Sequence, residues 1–290
     1  MIERLKSKFE CIENASLLNY NTYRLDTKCK LLVFPRDIFE FQEIMYILNG
    51  SKHFILGNGS NIILPDYYDG VVIKLKYFNN YNIFDEYIEV DSGVMINKLS
   101  MELSKLGYKG FEWASGIPGT IGGCIYNNAG CYGSEISDNL IDVTVFCDNK
   151  IYCLRKDELS FSYRNSTFKM NNKFVILKAK FKFEKGDPEE LLDLIKVRTN
   201  KRIESQPLEY PSCGSVFRNP EGLVAGKLID EANLKGKCVG GAMVSNKHAN
   251  FIINNGNATP EDIIKLINEI KNTIKKNYNI DLVLEQEIIK

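Results

Sequence analysis

The stretch His53-Phe54-Ile55-Leu56-Gly57-Asn58-Gly59-Ser60-Asn61-Ile62-Ile63-Leu64-Pro65 decides how the fold of this chain is read. Its first four residues form a short apolar run of strand type, and the next five are turn formers. Glycines at Gly57 and Gly59 let backbone N–H groups turn inward toward an anion such as a diphosphate. A plain β-turn explains the same five residues equally well. A Rossmann turn would open a helix at this point, whereas Ile62-Ile63-Leu64-Pro65 continues as strand. The spacing therefore excludes a Rossmann dinucleotide fold.

The residues on either side give the same result. Residues 62 to 183 alternate short β-like runs (Ile62–Leu64, Val71–Leu75, Tyr87–Val90, Val143–Cys147, Phe174–Phe183) with a helix over Met95–Leu106. The regular strand-helix-strand rhythm of a doubly wound parallel sheet is missing, so the class is α+β. Upstream, residues 2–13 read as one short charged helix and Leu31–Phe34 as a buried strand stopped by Pro35. Asp37 caps a helix running to Leu48 whose Ile38, Phe41, Met45 and Leu48 share a face. Downstream, Asp187-Pro188 opens a helix ending near Ser205, with Leu191, Leu192, Leu194 and Ile195 as its apolar face. Turn-rich sequence from Gln206 leads into two helices. The last starts at Thr259-Pro260 with a box-like T-x-x-D to Asp262, and its apolar face is Ile263, Ile264, Leu266, Ile267, Ile270 and Ile274. The domain boundary is placed near residue 200. Residues 1–200 then form two lobes, about 1–80 and 81–200, and residues 201–290 form a smaller α+β domain.

Composition limits the function. The 290 residues are 44% hydrophobic and 26% charged, as in an ordinary globular protein. The 37 basic and 37 acidic side chains cancel, so no general positive field exists to hold nucleic acid or anionic lipid. No apolar run approaches membrane-spanning length. Glu3, Arg4, Lys6 and Lys8 occupy the place of a signal peptide's apolar core, so a cytoplasmic protein without membrane insertion is expected. None of the eight cysteines falls in a C-x-x-C pair, which makes reduced, mostly buried thiols the default. The only histidines, His53 and His248, are far apart, and no metal site is expected.

Several further segments could carry chemistry. Gly116-Ile117-Pro118-Gly119-Thr120-Ile121-Gly122-Gly123 is a second glycine-dense loop, with Ser115 and Thr120 as hydroxyl donors and Asn127-Asn128-Ala129-Gly130 close behind. Backbone approach to a large phosphorylated ligand explains four glycines in eight residues better than a solvent loop does, with a tight strand crossing as the alternative. Phe161-Ser162-Tyr163-Arg164-Asn165-Ser166-Thr167-Phe168-Lys169 places a guanidinium among aromatics, which suits a carboxylate or phosphate but also a surface cation-π pair. Pro211-Ser212-Cys213-Gly214-Ser215-Val216-Phe217-Arg218-Asn219-Pro220 contains no nucleophile elbow, so nucleophilic hydrolysis has no support. Spacing alone leaves Ser215 open between proton donor and turn hydroxyl. The tail Leu284-Glu285-Gln286-Glu287-Ile288 reads as a last strand with both glutamates on one face.

Taken in this order, these segments resemble the UDP-N-acetylenolpyruvoylglucosamine reductases, flavoenzymes of bacterial peptidoglycan synthesis. The likeness starts at Asn21-Thr22-Tyr23-Arg24 and runs through both glycine loops and Tyr163–Lys169. It continues through Gln206–Phe217, Ala225-Gly226-Lys227-Leu228-Ile229-Asp230, Gly240-Gly241-Ala242 and Lys247-His248-Ala249 to Leu284–Glu287, covering nearly the whole chain. The resemblance implies an FAD-binding domain of the vanillyl-alcohol-oxidase type and a C-terminal domain that closes over a UDP-sugar. It implies noncovalent FAD held by Gly57, Asn58, Gly59, Ser60 and Asn61 and by Ser115, Gly116, Ile117, Pro118, Gly119, Thr120, Gly122 and Gly123. NADPH is then the hydride donor and the enolpyruvyl ether of UDP-N-acetylglucosamine the acceptor.

By family position, Arg164 binds and polarises the substrate carboxylate, Glu287 helps to stabilise the enolate-like state, and Ser215 donates the proton. Tyr163, Arg218, Asn219 and His248 stand where substrate contacts are expected. A monomer is implied, of the compact type II subclass. The sequence departs from the family in two places. Asp26-Thr27 replaces a familiar glycine pair, and the chain stops three residues after Glu287, which leaves that residue less firmly held. The competing reading is an FAD-dependent sugar or alcohol oxidase of the same fold. Such relatives often tether FAD through His or Cys, and His53 stands just before the glycine loop, with nothing in the sequence to support a link there.

Overall fold

A computed structural model describes residues 1–171 and 173–290. They divide into two units that interleave in sequence: Met1–Glu13, Leu31–Asn58 and Gly70–Asn200 form unit 1, and Asn14–Lys30, Gly59–Asp69 and Lys201–Lys290 form unit 2. One break thus falls at residue 200, while residues 14–30 and 59–69, placed by sequence with the N-terminal part, group with the C-terminal one. Apolar side chains account for this regrouping, because Tyr23, Leu25 and Ile63 are buried in the same core as the last helix.

Unit 1 has two apolar cores. The first forms around the helix Ile38–Leu48, whose N-cap Asp37 accepts from the N–H groups of Phe39 and Glu40, both at 2.8 Å. Phe41, Ile44 and Leu48 are fully buried there, and Phe41 meets Phe78 and Phe146 edge-on. They pack with residues of a sheet ordered Cys11–Ser16, Lys28–Val33, Tyr67–Lys74, His53–Leu56. Its last two strands run parallel, with Leu56 opposite Lys74, so the sheet edge delivers Gly57 beside Lys74. The second core lies on an antiparallel five-stranded sheet ordered Lys150–Arg155, Leu140–Cys147, Val175–Lys182, Tyr87–Asp91, Tyr81–Ile83. Alternate residues such as Ile88, Val90, Val143, Val145, Ala179 and Phe181 point inward to the helices Ile96–Lys105 and Ile121–Tyr126.

Three expectations need correction. The helix expected over residues 2–13 stops at Lys8, because Phe9 is extended (φ −124°, ψ 158°) and Cys11–Ser16 becomes a sheet strand. Of its apolar residues only Leu5 and Phe9 are buried, too few to hold a longer helix against the competing strand. The strand Lys150–Arg155 was not anticipated, since it is an exposed edge without an apolar alternation to read. The glycine-dense segment 116–123 is not all loop: Ile121 starts a short helix, with Thr120 Oγ1 accepting from Gly123 N at 3.3 Å.

Unit 2 is a four-stranded antiparallel sheet ordered Ser212–Ser215, Phe251–Asn254, Ala242–Val244, Cys238–Val239. The helix Pro260–Tyr278 covers it. Its capping box joins Thr259 and Asp262 as the sequence indicates, and Ile263, Leu266, Ile267, Ile270 and Ile274 are buried. The tail strand Glu287–Ile288 pairs in parallel with Ile62–Ile63, so the run after the first glycine loop is indeed strand.

Candidate active site

Because its sheet edge ends at Leu56, the first glycine loop begins against the second. Asn58 Nδ2 donates to Pro118 O at 2.8 Å, and a Cβ on Gly57 would lie 3.0 Å from Thr120 Oγ1. Lys74 Nζ donates to Gly57 O, and burial pulls this ammonium down to a pKa of about 8. It still carries most of its charge at neutral pH, directly behind the loop.

Gly59 adopts φ +64°, and a Cβ there would lie 2.2 Å from Tyr20 O. Its carbonyl accepts from Thr22 N at 3.1 Å and from Cys213 Sγ at 3.3 Å. In the second loop a Cβ on Gly119 would lie 2.7 Å from Cys124 Sγ, and one on Gly122 would lie 3.0 Å from Ser92 Cβ. Gly59 is therefore required by backbone packing inside the protein, whatever ligand approaches, and Gly119 and Gly122 are closely packed against side chains. What remains for a ligand is the backbone. Among the described residues, the N–H groups of Asn58, Gly59, Ser60 and Gly119 meet no hydrogen-bond acceptor. Within unit 1, the Asn58 and Gly119 donors with Lys74 behind the loop fit the diphosphate of FAD. Ser115, Gly116, Ile117 and Asn61 are half-buried in the same two loops, and Pro118 is exposed.

Arg164 sits at the tip of a hairpin in unit 1, between Phe161–Ser162 and Asn165–Ser166. Its φ of +57° is unfavourable for a bulky residue, by roughly 1–2 kcal/mol. A strained turn keeps such a side chain where the side chain is used. The guanidinium lies 5.1 Å from the centre of the Tyr163 ring and donates to Gly130 O at 2.8 Å. Asn128 Nδ2 donates to Ser162 O at 3.0 Å and to Glu135 Oε2 at 2.7 Å, so the Asn127–Gly130 segment supports this hairpin.

In unit 2, Ser215 follows a β-bulge. Ser212 faces Ile253 and Ser215 faces Phe251, so the strand gains a residue beside Gly214, which adopts φ +70°. Such a bulge turns the next side chain out of the regular alternation, here the half-buried Ser215. Asn250, 4% exposed, grips the segment beyond it: its Oδ1 accepts from Phe217 N at 3.0 Å and its Nδ2 donates to Phe217 O at 2.8 Å. Arg218 Nε is buried without a hydrogen-bond partner, a donor that suits an arriving anion. Asn219 is exposed and its Oδ1 accepts from Ala225 N at 3.0 Å, which shapes the turn before the helix Ala225–Glu231. His248 packs 4.7 Å from the Phe251 ring and accepts from Asn250 N, while burial holds its imidazole below the usual pKa.

The tail is more firmly fixed than its length suggests. Glu285 N donates to Val216 O at 2.8 Å, Glu287 N to Asn61 O at 2.9 Å, and Ile289 N to Ile63 O at 2.9 Å. The expectation that Glu287 is loosely held is thus corrected: pairing with the strand after the first glycine loop anchors it. Ser215 is tied to the same loop through Cys213 and Gly59. His53 begins the strand leading to Gly57, about 13 Å upstream at the rise of an extended chain. Its Nδ1 lies 2.7 Å from Ser51 O, so nothing in its placement favours a tether. A polar cavity of about 260 Å³ near Lys109, Trp113 and Asp138 contains no candidate residue.

Sequence reasoning did not single out Lys74, Asn250 or Gln286. For Gln286 a signal existed, since strand alternation puts it on the face opposite Glu285 and Glu287.

Comparison with known proteins bears on all of this. Residues 206–289 match the C-terminal domain of UDP-N-acetylenolpyruvoylglucosamine reductase, and residues 29–149 match an FAD binding domain. The reductase of Clostridium botulinum (strain Eklund 17B / Type B) is 41% identical over 281 residues, covering 96% of this chain and 92% of the relative. That of Clostridium tetani (strain Massachusetts / E88) is 40% identical, covering 100% and 95%. The crystal structure of the Thermus caldophilus reductase superposes with a TM-score of 0.84 at 30% identity, covering 98% and 99%. A glucose dehydrogenase, Phl p 4.0202, superposes over 64% of this chain with a TM-score of 0.51 at 12% identity, a likeness of fold alone.

Proposed function

Because the chain belongs to the UDP-N-acetylenolpyruvoylglucosamine reductase family, we propose that Arg164, Ser215 and Glu287 carry the proton chemistry and charge stabilisation of its reaction. The activity is NADPH-dependent reduction of the enolpyruvyl ether of UDP-N-acetylglucosamine to UDP-N-acetylmuramate, a step of peptidoglycan precursor synthesis. FAD, held by this domain, would supply the hydride-transfer chemistry that links NADPH to the terminal vinyl carbon. The backbone donors of residues 57–61 and 115–123 would hold its diphosphate, noncovalently.

Hydride addition pushes the π electron pair toward the neighbouring carbon and its carboxylate. Arg164 binds that carboxylate, and its fixed positive charge lowers the energy of the enolate-like state. Glu287 assists in stabilising that enolate-like state. Ser215 Oγ then gives its proton to the carbon beside the carboxylate and regains one from water. A serine is a weak acid, and its competence rests on a strongly basic carbon held in contact. Tyr163, Arg218, Asn219 and His248 contribute substrate contacts, with the Arg218 Nε donor directed to an anionic group.

The single observation that carries this reading is the shared anchorage of Ser215 and Glu287. Both strands fasten by hydrogen bonds to the Gly59–Asn61 part of the first glycine loop. A nucleotide-sugar substrate and NADPH support a cytoplasmic reading.

The test is an anaerobic two-step stopped-flow experiment. NADPH should bleach the flavin absorbance, and mixing with the enolpyruvyl UDP-sugar should restore it rapidly. A flavin that recovers only when oxygen is admitted contradicts the reading and favours an oxidase.

A further inference from the structure

Strand alternation turns Gln286 away from its glutamate neighbours and into the core of unit 2, where it is 2% exposed. A carboxamide buried to this degree is costly unless its donor and acceptor are both used. Here both are used, on two different segments. Its Oε1 accepts from Tyr23 Oη at 3.0 Å, and its Nε2 donates to Cys213 O at 3.2 Å. Tyr23 is itself fully buried, and desolvation raises its phenol well above the usual pKa, so it stays a donor. On the other side of Ser215, Glu285 N donates to Val216 O at 2.8 Å. The segment 213–216 is therefore clamped on both sides by residues 285 and 286, and Glu287 is the next residue along the tail.

We propose that Gln286 is a positioning residue that sets the spacing between Ser215 and Glu287, one carboxamide joining the strand of the proton donor to the strand of the carboxyl group. This rests on the roles given above to Ser215 and Glu287. Gln286 touches neither substrate nor cofactor in this account. It acts through Ser215, whose hydroxyl must be placed to within a fraction of an ångström of its reacting position beside the carbon that it protonates.

A double-mutant cycle on the FAD-loaded, NADPH-reduced enzyme tests this, with single-turnover transfer to the enolpyruvyl substrate as the readout. Gln286→Leu should slow transfer by about 10- to 100-fold, the range for a small misplacement, and leave flavin reduction by NADPH within about two-fold of wild type. In a Ser215→Ala background the same change should cost little more, because the group that it positions is gone. Equal costs in both backgrounds, or equal slowing of both half-reactions, would show a merely structural role and overturn the inference. Should Gln286→Leu fail to fold, Gln286→Glu replaces it. Its carboxylate cannot donate to Cys213 O but its protonated form can, so transfer should recover as pH falls. Absence of that recovery would also overturn the inference. A fast Ser215→Ala enzyme would instead refute the role of Ser215 itself. A slow Ser215→Ala beside a fully active Gln286→Leu would sink the inference alone.

Discussion

Arg164 and the pair Ser215 and Glu287 are held in opposite ways. The arginine rides on a two-residue hairpin tip, at a backbone conformation that costs energy, next to a Tyr163 that is 48% exposed. The serine and glutamate lie on strands tied together by Gln286 and the first glycine loop, with Asn250 gripping Phe217 just beyond the serine and Tyr23 and Cys213 fully buried behind them. The difference follows from the chemistry each group performs. The charge attraction between a guanidinium and a carboxylate falls off only as 1/r, so the arginine can ride on a turn. A hydroxyl that must protonate one carbon works only at a fixed distance, so it needs a rigid frame.

Arg164→Gly would break this comparison most severely. Glycine relieves the strain at φ +57°, so stability should rise by up to about 1 kcal/mol in denaturant titration. Transfer to the enolpyruvyl substrate should fall by roughly 10²- to 10³-fold, the scale for removing one charge-stabilising donor. A variant both stable and active would mean that the strained turn serves nothing. Asn250→Ala attacks the other region and should move stability the opposite way. It strands the buried N–H and C=O of Phe217, at a cost of about 2–4 kcal/mol. A thermal midpoint lowered by roughly 5–10 °C would support a rigid frame, and an unchanged midpoint would contradict it.

The smallest effect concerns His248. Burial depresses its folded pKa below the ordinary value, so the unfolded chain takes up the proton first as pH falls. Stability should be unaffected by this group above its unfolded pKa of about 6.5 and should decline below it, until the folded pKa is passed. Urea titrations between pH 7 and 5 should show a shallower decline for His248→Gln than for the parent protein. Equal slopes would show that His248 is solvated in the folded state.

Much of this was readable from residue order. The strand after Gly57–Asn61, the Asp37, Asp187 and Thr259 caps and the last helix all follow from patterns with a local cause. The placement of residues 14–30 and 59–69 was not readable, because it depends on Tyr23, Leu25 and Ile63 finding a core formed far away in sequence. The site shows the same limit. Its glycine-rich segments and tail strand are visible as motifs, yet the reason for Gly59 is the Tyr20 carbonyl 2.2 Å from where a Cβ would stand. The bulge that turns Ser215 and the left-handed turn of Arg164 are backbone facts that no residue type announces.

The most direct test of the central claim is Ser215→Ala, with both half-reactions followed by anaerobic stopped-flow flavin absorbance. The account predicts normal bleaching by NADPH and reoxidation by the enolpyruvyl UDP-sugar slowed by about 10² to 10⁴, the range for losing a positioned proton donor. Reoxidation at the parent rate would contradict it.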